Sequence, residues 1–366
     1  MTNSPIARNS GSGYSLIEMM IAMTIGMFLL AGLTVIFANS SEANRELQKT
    51  AQQIENGRYA AGLVFQDLRH AGFYGHLTRL PAAPVSLPDP CISPTAANLT
   101  AALGVYMQAY NAPDLATRPD LSATTCAAQG LTSANLKPGS DVVVIRRADT
   151  VDVLTGTSTA ILNEVYIQAT SNRFEIQIGN GAVLGTNKAN GAASTLFLSN
   201  NIVPSPPAPI RKYHVHIYFV APCSAGSGAG GVCQNGDDAI PTLKRIELGA
   251  VGGATAYRIV PLVEGIEYLR VEYGTDTLPN VVNVDTSLTG DASVDVFTTT
   301  PANWTTVIAA KLYLLARNTE ATAGYTDNKT YTLGTLAVPA FNDNFKRHVF
   351  ATDIRIMNPA ERREIP

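Results

Sequence analysis

The stretch GYSLIEMMIAMTIGMFLLAGLTVIFA, residues 13–38, decides how this chain is read. Its last 20 residues, 19–38, carry no charge. At about 1.5 Å of rise per residue they extend about 30 Å, the thickness of a bilayer's hydrocarbon core. Glu18 stands immediately before them. A charge at the centre of a membrane helix costs about 2.5–3.5 kcal/mol, so a carboxylate at the leading edge calls for a functional reason. The preceding MTNSPIARNSGSG holds Arg8 as its only charged side chain. Arg8 and the terminal amine predict a cytoplasmic N-terminus and an exported C-terminal bulk. An ordinary secretory signal is the competing reading, with Ala38-Asn39-Ser40 as a weak cleavage site and Ser41 as the mature start. The long apolar run and the position of Glu18 weigh against it.

Working outward, no proline occurs between Pro5 and Pro81, so one helix can continue well past the span. Leu47, Ala51, Ile54, Ala61, Phe65 and Leu68 recur at helical spacing, with Ala60, Val64 and Ala71 widening the stripe. This stripe is expected to lie against a sheet, with Glu42, Arg45, Glu46, Lys49 and Glu55 facing water or neighbouring subunits. Gly57 and Gly62 each weaken a helix by about 1 kcal/mol relative to alanine, which predicts bends or close packing. Gly72 and Gly75 are expected to end it.

The N-terminal residues carry a resemblance. Gly13-Tyr14-Ser15-Leu16-Ile17-Glu18 resembles the type IV prepilin motif, in which a peptidase cuts after the glycine, methylates the new N-terminus, and leaves a glutamate fifth in the mature chain. The resemblance implies cleavage between Gly13 and Tyr14, N-methylation of Tyr14, which replaces the commoner phenylalanine, and pairing of Glu18 with the α-amino group of a neighbouring subunit's Tyr14. Such a pair leaves neither charge buried alone. Residues 66–75, QDLRHAGFYG, look like the segment that follows the helix in PilW-type minor pilins. Residues 262–276, LVEGIEYLRVEYGTD, are similar to that family's "VEGIE" strand closed by Tyr-Gly-x-Asp. Trp304, the strand ending Leu314-Leu315-Ala316-Arg317, and a last strand over 345–358 match it as well.

Beyond the helix, residues 81–138 are rich in Pro, Ala, Thr and Ser and predict a long connection with a little helix. Short β-branched and aromatic segments then follow at 141–147, 160–169, 173–178, 195–198, 212–220, 242–248, 257–260, 266–273, 307–316 and 345–357. They predict a mostly antiparallel sheet system. Cys91, Cys126, Cys223 and Cys233 form no Cys-x-x-Cys pair. In an exported head they predict two disulfides. Cys91–Cys126 would staple the connection, and Cys223–Cys233 would close the glycine-rich SAGSGAGGV, though three connectivities are open.

Candidate chemistry is sparse. His214 and His216 fall on one face of a strand, a spacing that permits a metal but supplies no third ligand. Asp276, Asp285, Asp291 and Asp295 offer oxygen ligands without the spacing of a calcium loop. Asp67 and Arg69 are read as salt-bridging or capping residues where the helix enters the head. The glycine run lacks the Lys-Ser/Thr of a P-loop, and no Gly-x-Ser-x-Gly elbow occurs. The formal charge of −3 and the absence of a long basic run argue against direct nucleic-acid binding. No catalytic residue, metal or cofactor is expected.

The reading is therefore an α+β, pilin-like chain, whose long N-terminal helix, half transmembrane and half amphipathic, packs on a mostly antiparallel β-sheet head. Its parts are a leader (1–13), a transmembrane half-helix (14–38), an amphipathic half-helix (39–75) and an exported head (76–366). The resemblance implies a minor pilin that takes part in starting a pilus at its tip, in support of twitching motility, adhesion or DNA uptake. The implied partners are other minor pilins, the major pilin, a tip adhesin, the prepilin peptidase and the inner-membrane assembly platform. The subunit would sit in the bacterial inner membrane, head in the periplasm, and then in the pilus at the cell surface. A J-type pseudopilin of type II secretion and a tip module that grips DNA or a surface are the alternatives.

Overall fold

Helix α1, Leu16–Arg69, is 54 residues long, as the absence of proline allows. The computed structural model describes residues 13–151, 156–185, 188–193, 195–198, 207–277 and 290–364. Arg8, most of the expected leader, and Asp285 lie outside these residues. Contacts divide the chain into two units, Met1–Ala51 and Gln52–Pro366, so α1 contributes to both.

The helix stops six residues before the expected position 75. Gly72 and Gly75 adopt φ of 73° and 72°, and the Gly72 amide donates to the Arg146 carbonyl (3.0 Å). That bond ties the turn to the sheet. A Cβ at Gly72 would stand 3.1 Å from Tyr106, a second reason for glycine there.

Past α1 come the short helix α2, Ala96–Ala101, and then β1, Met107–Tyr110, inside the region expected to be mainly connection. Strand β2 (Val142–Ala148) pairs antiparallel with β1 and with β7 (Ile210–Ala221). Strand β7 is the hub: its first residues pair with β4 (Val165–Ala169), which carries β5 (Phe174–Ile178), and its last pair with β8 (Thr242–Val251). Strand β9 (Ala254–Glu264) closes this seven-stranded sheet beside β8. A small ribbon joins β3 (Gly156–Thr159) to β6 (Val183–Gly185). The segment expected as a strand at 195–198 makes only an isolated bridge, Phe197 to Pro207.

A second antiparallel sheet has the order β11–β10–β12–β15, from Val296–Thr298, Ile266–Thr275, Val307–Arg317 and Arg347–Arg355. Strands β13 (Tyr331–Leu333) and β14 (Leu336–Val338) make another ribbon. The segment expected as one VEGIE strand is the corner between the two sheets. Glu264 ends β9, Ile266 begins β10, and Gly265 turns between them at φ 79°. The Gly265 amide donates to the Pro241 carbonyl (2.8 Å), and its own carbonyl accepts from the Arg317 amide (2.7 Å). A Cβ there would press on the Arg317 carbonyl, 2.6 Å away, so only glycine fits the pivot.

The expected last strand also ends early, because Met357–Glu364 forms helix α3, whose Pro359 and Ala360 are buried. One hydrophobic cluster joins Ala60, Val64 and Leu68 of α1 to Val144, Ile217 and Phe219 of the first sheet and to Leu269, Val271, Leu312 and Leu314 of the second.

Candidate assembly helix and its anchor in the head

Among the described residues, the first part of α1 is exposed. Leu16, Phe28 and Phe37 are 75–80% exposed, and the most apolar 18-residue window, mean hydropathy 2.3, has no buried residue. Among the described residues this is the one helix long and apolar enough to cross a membrane. Gly13 and Tyr14 precede its first turn, both exposed. The Ser15 amide donates to Glu18 Oε2 (2.9 Å), and the Ile17 amide donates to Ser15 Oγ (3.3 Å). Within one chain Glu18 thus caps the Ser15 amide, and Ser15 the Ile17 amide, at the positive end of the helix dipole.

From Gln53 onward the helix is held in the head, though not by the whole expected stripe. Gln53, Gly57, Ala60, Val64, Asp67 and Leu68 are buried, whereas Ile54 is exposed, as is Leu47 in the first unit. Polar and steric requirements set this face. The Gln53 amide nitrogen donates to the carbonyls of Ala316 (2.8 Å) and Lys346 (3.0 Å). Gly57 lies against the Phe350 ring, which occupies the place a Cβ would take. Gly62 meets nothing within 4 Å, so the expected close packing holds at one glycine of the two.

Asp67 is the polar centre of this interface, 3% exposed. Its Oδ1 accepts from Arg147 Nε of β2 (2.8 Å). Its Oδ2 accepts from His216 Nδ1 (2.5 Å) and from the Tyr218 hydroxyl (2.5 Å), both on β7. The Tyr218 oxygen in turn accepts from Arg245 Nη1 of β8 (3.0 Å), and Arg245 is paired with Glu247. Burial alone would raise the Asp67 pKa. The His216 contact, the Arg147 charge and the Tyr218 hydroxyl outweigh burial and hold the carboxyl well below the usual range. Burial also pushes His216 down, with Arg245 and Arg147 opposing its charge, so we read His216 as a neutral ring donating to an ionised Asp67.

His214 shares the strand face, its ring centre 5.1 Å from that of His216, but faces Asp149 at 3.5 Å. Burial, His216 and Arg147 push it down to about 3. The two histidines therefore hold different carboxylates and do not converge as metal ligands. Arg69 is exposed. Alternation in KYHVHIYFV placed His214 and His216 on one face. The meeting of His216 and Tyr218 with Asp67 had no sequence signal, because these partners lie about 150 residues apart.

The acidic stretch is likewise structural where described. Asp276 is buried, accepts from the amides of Asp291 (3.2 Å) and Ala292 (2.9 Å), and lies 3.4 Å from Arg363 of α3. Asp295 accepts from the Thr277 amide (2.6 Å). Glu267 of the corner motif meets Arg347 Nε (2.6 Å), and Arg347 also binds Asp327 (2.9 Å) and Asp343 (2.6 Å). Cys91 is bonded to Cys126 and Cys223 to Cys233, and among the described residues no cysteine is free.

Two family models match this chain. The type IV pilus-assembly protein W model covers residues 217–358, from the hub strand to the start of α3. The prokaryotic N-terminal methylation motif covers residues 8–34. No curated protein and no solved structure matches. The matches take in the prepilin-like motif and the C-terminal segments that carried the sequence resemblance, residues 66–75 lie outside both, and the N-terminal match coincides with the exposed apolar helix.

Proposed function

We propose that this chain, which matches a PilW-type minor pilin of the type IV pilus, is a non-catalytic subunit that enters the pilus at its tip with other minor pilins. The observation that carries this is the division of one helix: an apolar end led by a carboxylate and exposed among the described residues, and a far end stitched into a β head.

The mechanism is assembly by partition. The span inserts the precursor in the bacterial inner membrane, with the head in the periplasm. The peptidase removes residues 1–13 and methylates Tyr14. Residues 14–38 then leave lipid for a bundle of like helices, where Glu18 exchanges its intrachain amide partner for the freed amine of a neighbour. The large head suits a cap, where it crowds no helical array of subunits. Working partners are the other minor pilins, the major pilin, a tip adhesin and the assembly platform, in support of twitching motility, adhesion or DNA uptake. The match to a pilus-assembly model favours this over a J-type pseudopilin. Deletion should therefore impair twitching and leave type II secretion intact.

The test is Glu18→Ala at the native locus. The variant should remain in the membrane fraction and fall at least about tenfold in sheared pili, the loss of one buried charge pair. Incorporation at the usual level overturns the pairing. Labelled copies should lie at pilus ends, and an even distribution along the shaft overturns the cap.

A further inference from the structure

The two disulfides stand in opposite electrostatic settings. Beneath Cys223–Cys233, Lys244 of β8 is buried at 1% exposure, and its Nζ lies 3.8 Å from each sulfur and 3.2 Å from the Gly231 carbonyl. Burial pushes the ammonium's pKa down, and the carboxylates of Asp238 and Asp237 oppose that. Both cysteines line a surface depression of about 280 Å³ with Ala134, Gln234, Asn235 and the carboxylate-bearing Asp238, which gives an incoming thiol a place to sit while Lys244 remains the charge nearest the sulfurs. Beside Cys91–Cys126 the near charge is negative. A carboxylate oxygen of Asp89 lies within 4.8 Å of both sulfurs, and Asp89 accepts from the amides of Cys91 (2.9 Å) and Thr125 (2.8 Å).

The species that leaves when a disulfide opens is a thiolate. A cation beside it stabilises it and speeds its departure, and an anion does the opposite. We propose that Cys223–Cys233 is a thiol-exchange site, primed by Lys244 to take electrons from a dithiol outside the cytoplasm, while Cys91–Cys126 is an inert staple. An external thiolate attacks one sulfur of Cys223–Cys233. The S–S bond breaks, a mixed disulfide forms, and the second cysteine leaves as a thiolate beside the Lys244 ammonium. The donor's other thiol then displaces the mixed disulfide. The donor ends oxidised to its own disulfide, and two electrons and two protons rest on Cys223 and Cys233. The loop SAGSGAGGV is thereby released at one end from β7.

The test uses the oxidised full-length protein in detergent, dithiothreitol as the dithiol, an iodoacetamide quench, and peptide mass mapping of the alkylated cysteines. Cys223 and Cys233 should label about tenfold faster than Cys91 and Cys126. Lys244→Met should remove most of that lead, and Lys244→Arg should keep it, with Cys91–Cys126 opening at the wild-type rate as the internal check on folding. Asp89→Asn should open Cys91–Cys126 several-fold faster. Equal rates in the wild type, or an unchanged lead in a folded Lys244→Met protein, overturn the proposal. Should Lys244→Met fail to fold, the wild-type ratio and the Asp89→Asn arm decide it.

Discussion

The two ends of α1 obey different rules, although no proline or break separates them. The N-terminal end is apolar around its circumference and, among the described residues, exposed throughout, so its sequence carries no stripe. The C-terminal end is held by a glutamine, a glycine and an aspartate as much as by Ala60, Val64 and Leu68. A helix solvated by lipid or by like helices needs only greasiness and length. A helix seated on one sheet needs a few position-specific contacts. Mutations should therefore act on the two ends by different readouts, and the sole tryptophan, Trp304, buried against Tyr273 at 4.8 Å, reports the head.

The sharpest contrast comes from Asp67→Ala. It leaves Arg147, His216 and Tyr218 without their buried acceptor and should lower urea stability of the detergent-solubilised protein by about 3–5 kcal/mol. Glu18→Ala should leave that stability unchanged, since among the described residues Glu18 is hydrogen-bonded to Ser15 at the far end of the helix. Equal head stabilities for the two variants would erase the distinction.

Gly57→Ala should come next, costing about 1–3 kcal/mol by driving a methyl group into the Phe350 ring. Phe350→Ala in the same chain should recover part of that loss, and a strictly additive double mutant would place the clash elsewhere.

A pH series tests the polar seat. His214 is about 3 in the fold against about 6.5 unfolded, so the unfolded chain binds the extra proton between those values and stability falls as pH drops. His214→Gln should flatten the urea midpoint between pH 6 and 4, removing up to about 1.4 kcal/mol per pH unit. A slope unchanged by the substitution would contradict a neutral, buried His214.

The smallest effect is a gain. Gly62 faces open space, so Gly62→Ala should stabilise the head by up to about 1 kcal/mol, opposite in sign to Gly57→Ala five residues away.

Legibility followed the same division. The apolar span, the long helix and every long strand could be read from run length, periodicity and alternation, since each is a local property. Strands β1, β3, β6, β11, β13 and β14 escaped notice because three or four residues carry too little pattern. The buried face of α1 was misread at Leu47, Ala51 and Ile54, where apolar type suggested burial but all three are exposed, while Gln53 and Gly57 face the head. Enclosed charges were the least legible part: half-buried Arg147 and Arg245 and buried Lys244 look like solvated positions until strands brought together by β7 surround them. The Gly265 corner was visible as a motif, but its role as a pivot needed both sheets.

One measurement bears most directly on the central claim: intact-mass and N-terminal peptide analysis of the protein purified from membranes and from sheared pili. The account predicts a chain beginning with N-methylated Tyr14. A chain beginning at Ser41 would contradict it, because the apolar half of α1 would then be a discarded signal instead of an assembly element.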